Sequence, residues 1–500
     1  MPRPARRLWW YLLLPALGVL AHLALALGAL ALGVVQWGRR ADRSSALTEN
    51  SETVSLLRSA VARAHLVIVV IDAARADHLG CYGYPRDTTP NIDRLAAESF
   101  VFDNHFCQIP LTAASTVSLF TSQFPDTHGV FYRAEPDSTP AFTLPAALDT
   151  AGFRTALFSS NPSASPAVGV GADFHEAYHR TRSVTEGVGF SPETLLLRFR
   201  TWLDDGEPSR IFAYLHFLPP HTPYDQPDRF TQLFADRAPP GFRPDAYRPD
   251  EFDFPIDREP EPLDTPPLPD WINLYDANLS YADWAVGEVV NTLTAAGLLE
   301  DTLLIVTSDH GEAFGEHGFT WHAHAIHDEV ARIPLLIRFP SGLFPPRRID
   351  CVTQTVDLLP TLCDLFALPY PAQDVQGRSL LPVLAGQADS AGTYAVTKSY
   401  GPEKYIIRDR DHALLLYRNP EWRALHDMRA DPQQTRNIIA QRPDKAEELF
   451  EAFRTYAQAQ RRPPACFLDP NAEPLPEPQP PSTDVSPDLR TDLKALGYLR

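Results

Sequence analysis

The sequence predicts a layered α/β protein with a smaller α+β region at its C-terminal end and one hydrophobic anchor at its N-terminal end. Three observations carry that expectation. Continuous apolar runs at residues 66–71 and 303–306 each lead to acid, Asp72 in the first case and Asp309 with His310 in the second. Between them helix-like and strand-like segments alternate, the pattern of a sheet covered by helices. After Gly386 the pattern changes to short strand-like pieces followed by one helix.

The elements follow in order. Arg3, Arg6 and Arg7 precede an apolar stretch over residues 8–35, and Arg39 and Arg40 follow it. A spanning helix needs ~20 apolar residues, whereas the apolar part of a cleaved signal is only ~7–15 long. An uncleaved membrane anchor over residues 1–40 is therefore expected, then a polar linker over 41–60. Basic residues flank both ends, so charge orients the helix only weakly. The expected placement of the catalytic domain, residues 61–385, is periplasmic or extracellular.

The 66–71 run reads as a strand buried on both faces, as in a parallel sheet, with Asp72 at its end. Ligands of open α/β sheets gather beyond the carboxyl ends of strands. A helix end at 146–151, strands at 155–158 and 211–217, helical spacing over 282–296 and a strand at 303–306 continue the pattern. Residues 219–269, rich in proline and acid, read as a long surface loop or lid. Residues 386–500 form the smaller region, with a strand at 413–417, a helix at 446–460 and a proline-rich tail.

Length and charge narrow the function. A chain of 500 residues with 44% hydrophobic content accommodates one large and one smaller core. Its formal net charge of -19 excludes the basic surface that nucleic acid requires. An anionic substrate stays compatible, because a bound cation reverses the local sign. The five cysteines include no CxxC pair and suggest neither a disulfide scaffold nor a zinc-thiolate site, though one pair, such as Cys351 with Cys363, could bond outside the cytosol.

Two carboxylates and an imidazole at strand ends suit a divalent cation. Each also has a plainer role, as a helix cap or a core histidine. What shifts the balance is the longer pattern. The segment IDAARADHLGCYGYPRDTTPNIDRLAAES resembles the N-terminal segment of the sulfatase family. PLTAASTVSLFTSQFPDTHGV, HFLPPHTPYD, LLIVTSDHGEAFGEHG, IHDEVARIPLLIRFP, VDLLPTLCDLFALP, QGRSLLPVLAG and ALHDMRADPQQTRN follow in family order, so the resemblance spans residues 66–437. It implies an alkaline-phosphatase-like α/β sandwich with a small C-terminal domain.

The resemblance places the nucleophile at Thr112, where family members that cleave sulfate esters carry a Cys or Ser converted to formylglycine. Thr112 cannot be converted, and Ala114 and Thr116 depart from the C/S-x-P-S-R segment. A formylglycine hydrate ejects sulfate by collapsing to an aldehyde, whereas an ester on threonine must be attacked by water. Threonine is the nucleophile in the similar phosphoethanolamine transferases, which tilts the expectation towards phosphate or phosphonate esters. A helix starting at Thr112 would favour negative charge there, and a bound cation would lower the hydroxyl's pKa.

Asp72, Asp309, His310 and Thr112 are thus the expected metal ligands. Ala73 stands where formylglycine sulfatases carry a second acid. One divalent ion is expected, zinc, manganese, magnesium or calcium, with a second ion open. The resemblance adds His221 and His322 as catalytic and substrate-binding residues, and His324, Arg75 and Asn161 as substrate contacts. Asn161 lies where such sulfatases carry a cationic GKWHLG clamp. The expected function is metal-dependent hydrolysis of a small phosphate, phosphonate or sulfate ester through Thr112 and a covalent intermediate, with a sugar or a lipid open as the carrier. The alternatives are formylglycine-independent sulfate hydrolysis, phospho-group transfer, and a non-catalytic anchored binding protein.

Overall fold

The computed structural model describes residues 52–132, 142–179, 191–206, 209–235, 268–389, 392, 394–400, 404–417 and 423–468. The expected anchor at 8–35, most of the 219–269 excursion and the 493–499 terminus lie outside them. Among the described residues no helix is long and apolar enough to cross a membrane. The chain divides into two units, residues 1–57 and 58–500. Residues 52–60 of the expected 41–60 linker belong to a helix, Glu52–Val61, and residues 41–51 lie outside the described ones. Val54, Leu57 and Val61 recur at helical spacing and are buried.

The larger unit is built on an eight-stranded sheet. Its strands are β1 (His65–Ile71), β2 (Phe100–Phe106), β3 (Arg154–Ser159), β4 (Glu176–His179), β5 (Ile211–Phe217), β6 (Thr302–Ser308), β9 (Leu335–Arg338) and β10 (Arg347–Gln354), after a short ribbon of β7 (Ala313–Phe314) and β8 (Thr320–Trp321). Their order is β10-β2-β9-β6-β1-β5-β3-β4. β1 lies between β5 and β6, parallel to both. The sheet is mixed, because β9 runs antiparallel to β2 and β6. Buried side chains of β1, β5 and β6 pack with the long Leu268–Ala295 helix, including Tyr275, Leu279 and Val286. Covered central strands read as apolar runs for that reason.

The TPNIDRLA segment anchors the fold instead of supplying chemistry. Pro90 opens the Pro90–Ala96 helix, a position where its missing N–H costs nothing. Asp283, on the long helix, accepts from the N–H groups of Asn91 at 3.0 Å and Ile92 at 2.8 Å. Two of the helix's orphan donors are satisfied from outside. Asp93 in turn accepts from Cys81 N at 2.7 Å, which ties the GCYG turn to the same helix.

A second, four-stranded antiparallel sheet follows, β11 (Ala395–Lys398), β12 (Lys404–Arg408), β13 (His412–Tyr417) and β14 (Arg423–Asp427), in that order. The Pro443–Gln458 helix covers it through Leu449 and Phe453. Cys351 and Cys363 are buried thiols, and no disulfide joins them.

Candidate active site

The site forms where three parallel strands end side by side. β1 ends at Ile71, paired with Ser308 of β6 and Phe217 of β5. Asp72 and Asp309 are the next residues on their strands, so the register sets them as neighbours. Ala73 turns the chain sharply, with φ 56°, a left-handed conformation that costs a non-glycine residue roughly 1–2 kcal/mol. That turn points Ala73 N at Asp309 Oδ1, 3.1 Å away, where His310 N also donates at 2.9 Å.

Asp309 is thereby held by one oxygen, and Oδ2 has no hydrogen-bond partner among the described residues. Asp72 is held the same way. Its Oδ2 accepts from Asn161 Nδ2 at 2.5 Å and His216 Nε2 at 3.0 Å, while Oδ1 has no partner. His310 donates from Nδ1 to the Gly311 carbonyl at 2.9 Å, which leaves a lone pair on Nε2. That Nε2 stands 3.8 Å from Asp72 Oδ1 and 3.5 Å from Asp309 Oδ2. Two orphaned carboxylate oxygens and one basic nitrogen thus converge, their ligand atoms within 4.8 Å of one another. A buried unpaired oxygen costs about 1–3 kcal/mol or more, and one cation satisfies all three atoms. The residues fit a divalent metal.

The electrostatics agree. Burial alone would raise the Asp72 carboxyl, but His221 and the hydrogen-bonded His216 outweigh it and hold it below the usual range. Burial alone would lower His310, yet Asp309 and Asp72 raise it. The two carboxylates draw positive charge into their midst, as a proton or as a cation.

Thr112 is the first residue of the Thr112–Thr121 helix. Its Oγ1 lies 3.3 Å from His310 Nε2 and 3.4 Å from Asn161 Nδ2. Ser115, one turn on, donates to the Asp309 carbonyl at 2.7 Å, so the helix is tied to the end of β6. His322 stacks on His310 with ring centroids 4.3 Å apart, and His221 is 5.1 Å from His322. His221 donates from Nδ1 to the Thr222 carbonyl at 2.7 Å. Glu312 Oε1 lies 3.1 Å from His322 Nδ1. Burial pushes the Glu312 carboxyl up to about 7 and, with His310 and His221 beside it, holds His322 well below its usual value.

The structure therefore brings Asp72, Thr112, Asn161, His221, Asp309, His310 and His322 together. Arg75 and His324 are engaged elsewhere. The Arg75 guanidinium pairs with Asp77 at 2.8 Å and Glu316 at 2.7 Å and donates to the Glu312 carbonyl, so it braces the 312–316 loop. His324 donates from Nδ1 to the Tyr400 carbonyl at 3.0 Å. Asn161, which the sequence offers only in place of a missing clamp, bridges Asp72 and Thr112. His216 is absent from the sequence reading. Its Nε2–H serves Asp72, and its Nδ1 lies 3.1 Å from the Tyr214 hydroxyl, a pairing that fixes the tautomer. The available signal was a histidine inside an otherwise apolar strand, paired with Val70 two residues before Asp72.

Gly311 explains the third letter of the DHG motif. A Cβ there would lie 2.1 Å from the Glu329 carbonyl oxygen, a backbone atom that cannot step aside cheaply. Gly311→Ala is expected to cost about 2–3 kcal/mol in chemical denaturation, at the upper end for overpacking. It should also reduce metal retention, because His310 moves with its neighbour. Unchanged stability and metal content would show that the close approach is not constraining.

A mixed α/β fold with acids, imidazoles and a hydroxyl at the strand ends defines an ester hydrolase of the alkaline-phosphatase type. The family model described as Sulfatase matches residues 64–368, and the chain belongs to the sulfatase family. A second model, N-sulphoglucosamine sulphohydrolase, C-terminal, matches residues 315–460. The chain is 24% identical to an N-acetylglucosamine-6-O-sulfatase of Bacteroides thetaiotaomicron, over 78% of its length and 85% of the relative's. It is 27% identical to a choline-sulfatase of Rhizobium meliloti, over 70% and 77% of the two chains. Its fold matches the crystal structure of a phosphonate monoester hydrolase of Agrobacterium radiobacter with a TM-score of 0.67 at 19% identity, covering 81% and 97% of the two chains.

Proposed function

We propose that this enzyme hydrolyses a phosphonate or phosphate ester through Thr112, with an ester on that hydroxyl as the covalent intermediate. The observation that carries the reading is the position of Thr112 Oγ1, 3.3 Å from His310 Nε2, where the two carboxylates also converge. A divalent metal held by Asp72, Asp309 and His310 would favour ionisation of the hydroxyl and offset charge on the substrate. Zinc and manganese suit the mixed nitrogen and oxygen donors better than calcium does.

The chain's own residues divide the remaining work. The helix beginning at Thr112 adds its positive dipole end to the developing charge. Asn161 holds the Thr112 hydroxyl and Asp72 with one amide. His322, kept neutral and oriented through Nδ1 by Glu312, can take a proton at Nε2 and return it to the leaving alkoxide. His221 stands beside it for the non-bridging oxygens. Water then attacks phosphorus, its proton passing to His322 and from there to the departing Thr112 oxygen, which restores the free hydroxyl.

A sulfate ester, on a sugar or on a small alcohol, is the second reading. The names of the sulfatase relatives favour it, and the N-acetylglucosamine-6-O-sulfatase points to a sugar. Against it stand Thr112, which has no aldehyde route for expelling sulfate, and Asn161 in place of a cationic clamp. The test is a panel of aryl sulfate, phosphate diester and phosphonate monoester on metal-reconstituted enzyme. Phosphonate or diester turnover exceeding sulfate turnover by tenfold or more is expected. Sulfate turnover greater than both would overturn the preference and leave the family assignment intact.

A further inference from the structure

We propose that His317, His327 and Glu329 form a second cation site, apart from Asp72, Asp309 and His310, which takes a zinc-like divalent ion and pins both ends of the segment bearing His322. The three side chains come from two places. His317 sits in the Glu316–Gly318 turn, held at φ 54°, a left-handed conformation that is strained for histidine. His327 precedes the short Asp328–Ala331 helix, and Glu329 lies within it. Glu329 Oε1 is the meeting point, 3.9 Å from His317 Nε2 and 4.0 Å from His327 Nδ1. All three ligand atoms lie within 4.8 Å of one another.

Burial turns this proximity into an argument. His327 is 4% exposed and Glu329 7%. His327 Nδ1 and Glu329 Oε1 have no hydrogen-bond partner among the described residues. Folding brings an orphaned nitrogen and an orphaned carboxylate oxygen face to face, each at a cost of about 1–3 kcal/mol. One cation between them removes both deficits. His426 acts on the charge of both rings, and its own Nδ1 lies 3.9 Å from Asp431 Oδ2. The nearby Arg408 guanidinium is neutralised by Asp328.

The donor set decides the ion. Two imidazoles and one carboxylate suit zinc or cobalt and disfavour calcium, which takes oxygen ligands. The two rings are stacked 3.7 Å apart at an interplanar angle of 8°. A shared cation lies in both ring planes, so loading turns one ring out of the stack. The role is structural, because residues 317 and 329 bracket the segment bearing His322 and Glu329 backs onto Gly311.

The test counts equivalents of Zn(II) or Co(II) bound by metal-stripped full chain at micromolar concentration, by elemental analysis and cobalt absorbance. Wild type is expected to bind two. His327→Phe and Glu329→Gln each bind one, and Asp309→Asn binds one that disappears in Asp309→Asn/His327→Phe. Zn(II) should raise the unfolding midpoint of Asp309→Asn and not that of the double variant. Circular dichroism of the metal-free forms checks folding, and Glu329→Gln serves if His327→Phe does not fold. The proposal is overturned if Asp309→Asn binds no metal, or if both second-site variants bind as many equivalents as wild type.

Discussion

Thr112→Ala is expected to lower kcat by about 10^6-fold, the scale on which a hydrolase loses rate when its nucleophile is deleted. The loss should fall on kcat and kcat/KM together, because the hydroxyl forms its bond only along the reaction path. Metal content should not change, since Asp72, Asp309 and His310 supply the charged and basic donors. Stability should change by less than about 1 kcal/mol. The hydroxyl lies 3.3 Å from His310 and 3.4 Å from Asn161, both long for hydrogen bonds. Thr112→Ser keeps the oxygen and the helix start, and should retain activity to within about tenfold. Rapid quenching of the wild type should trap a phosphorylated peptide containing Thr112. An alanine variant with wild-type turnover would end the nucleophile assignment, and the other residues of the cluster would need a different attacking group.

Much of this site was legible before any coordinates, and the reason is physical. A central strand covered on both faces must be apolar throughout, so a carboxylate at its end stands out. Asp72 and Asp309 announced themselves that way, and β1, β5 and β6 fall within a residue or two of the expected runs. The antiparallel course of β9 was not legible, because Leu335–Arg338 is as apolar as a parallel strand in the same covered sheet. Nor were the mixed-polarity strands β2 and β10, whose register to each other carries an irregularity between Ile349 and Val352. His216 was missed because a single histidine in an apolar strand is usually a core residue. Only the register with Val70 reveals that its ring reaches Asp72. Arg75 left two roles open, an anion contact and a structural ion pair. A cation one turn from an acid looks like an anion clamp, and only the fold brings Glu316 to it. The helix at Glu52–Val61 escaped notice because polar residues separate its buried Val54, Leu57 and Val61.

The second large effect concerns the charge that the fold concentrates at those strand ends. Asp309→Asn is expected to lower activity by about 10^3-fold, as several kcal/mol of charge stabilisation are lost with the metal. It should also reverse a stability order. Without metal, the wild type holds the Asp72 and Asp309 carboxylates with ligand oxygens within 4.8 Å of each other, both buried. At an effective dielectric constant of about 20 their repulsion is on the order of 3 kcal/mol. Asparagine keeps the oxygen that accepts from Ala73 N and His310 N. It places an amide nitrogen where Oδ2 stood, free to donate to Asp72 Oδ1. The metal-free variant should therefore unfold at a higher temperature than metal-free wild type. With metal at 100 times its dissociation constant, wild type gains about 2.7 kcal/mol from binding, and the variant gains far less from this site. The order should then invert. Thermal unfolding of both proteins, stripped and reloaded, reads the sign directly. A stripped variant less stable than stripped wild type would mean that Asp309 is held by neutral hydrogen bonding and not poised for a cation, which would remove the electrostatic basis for the metal site.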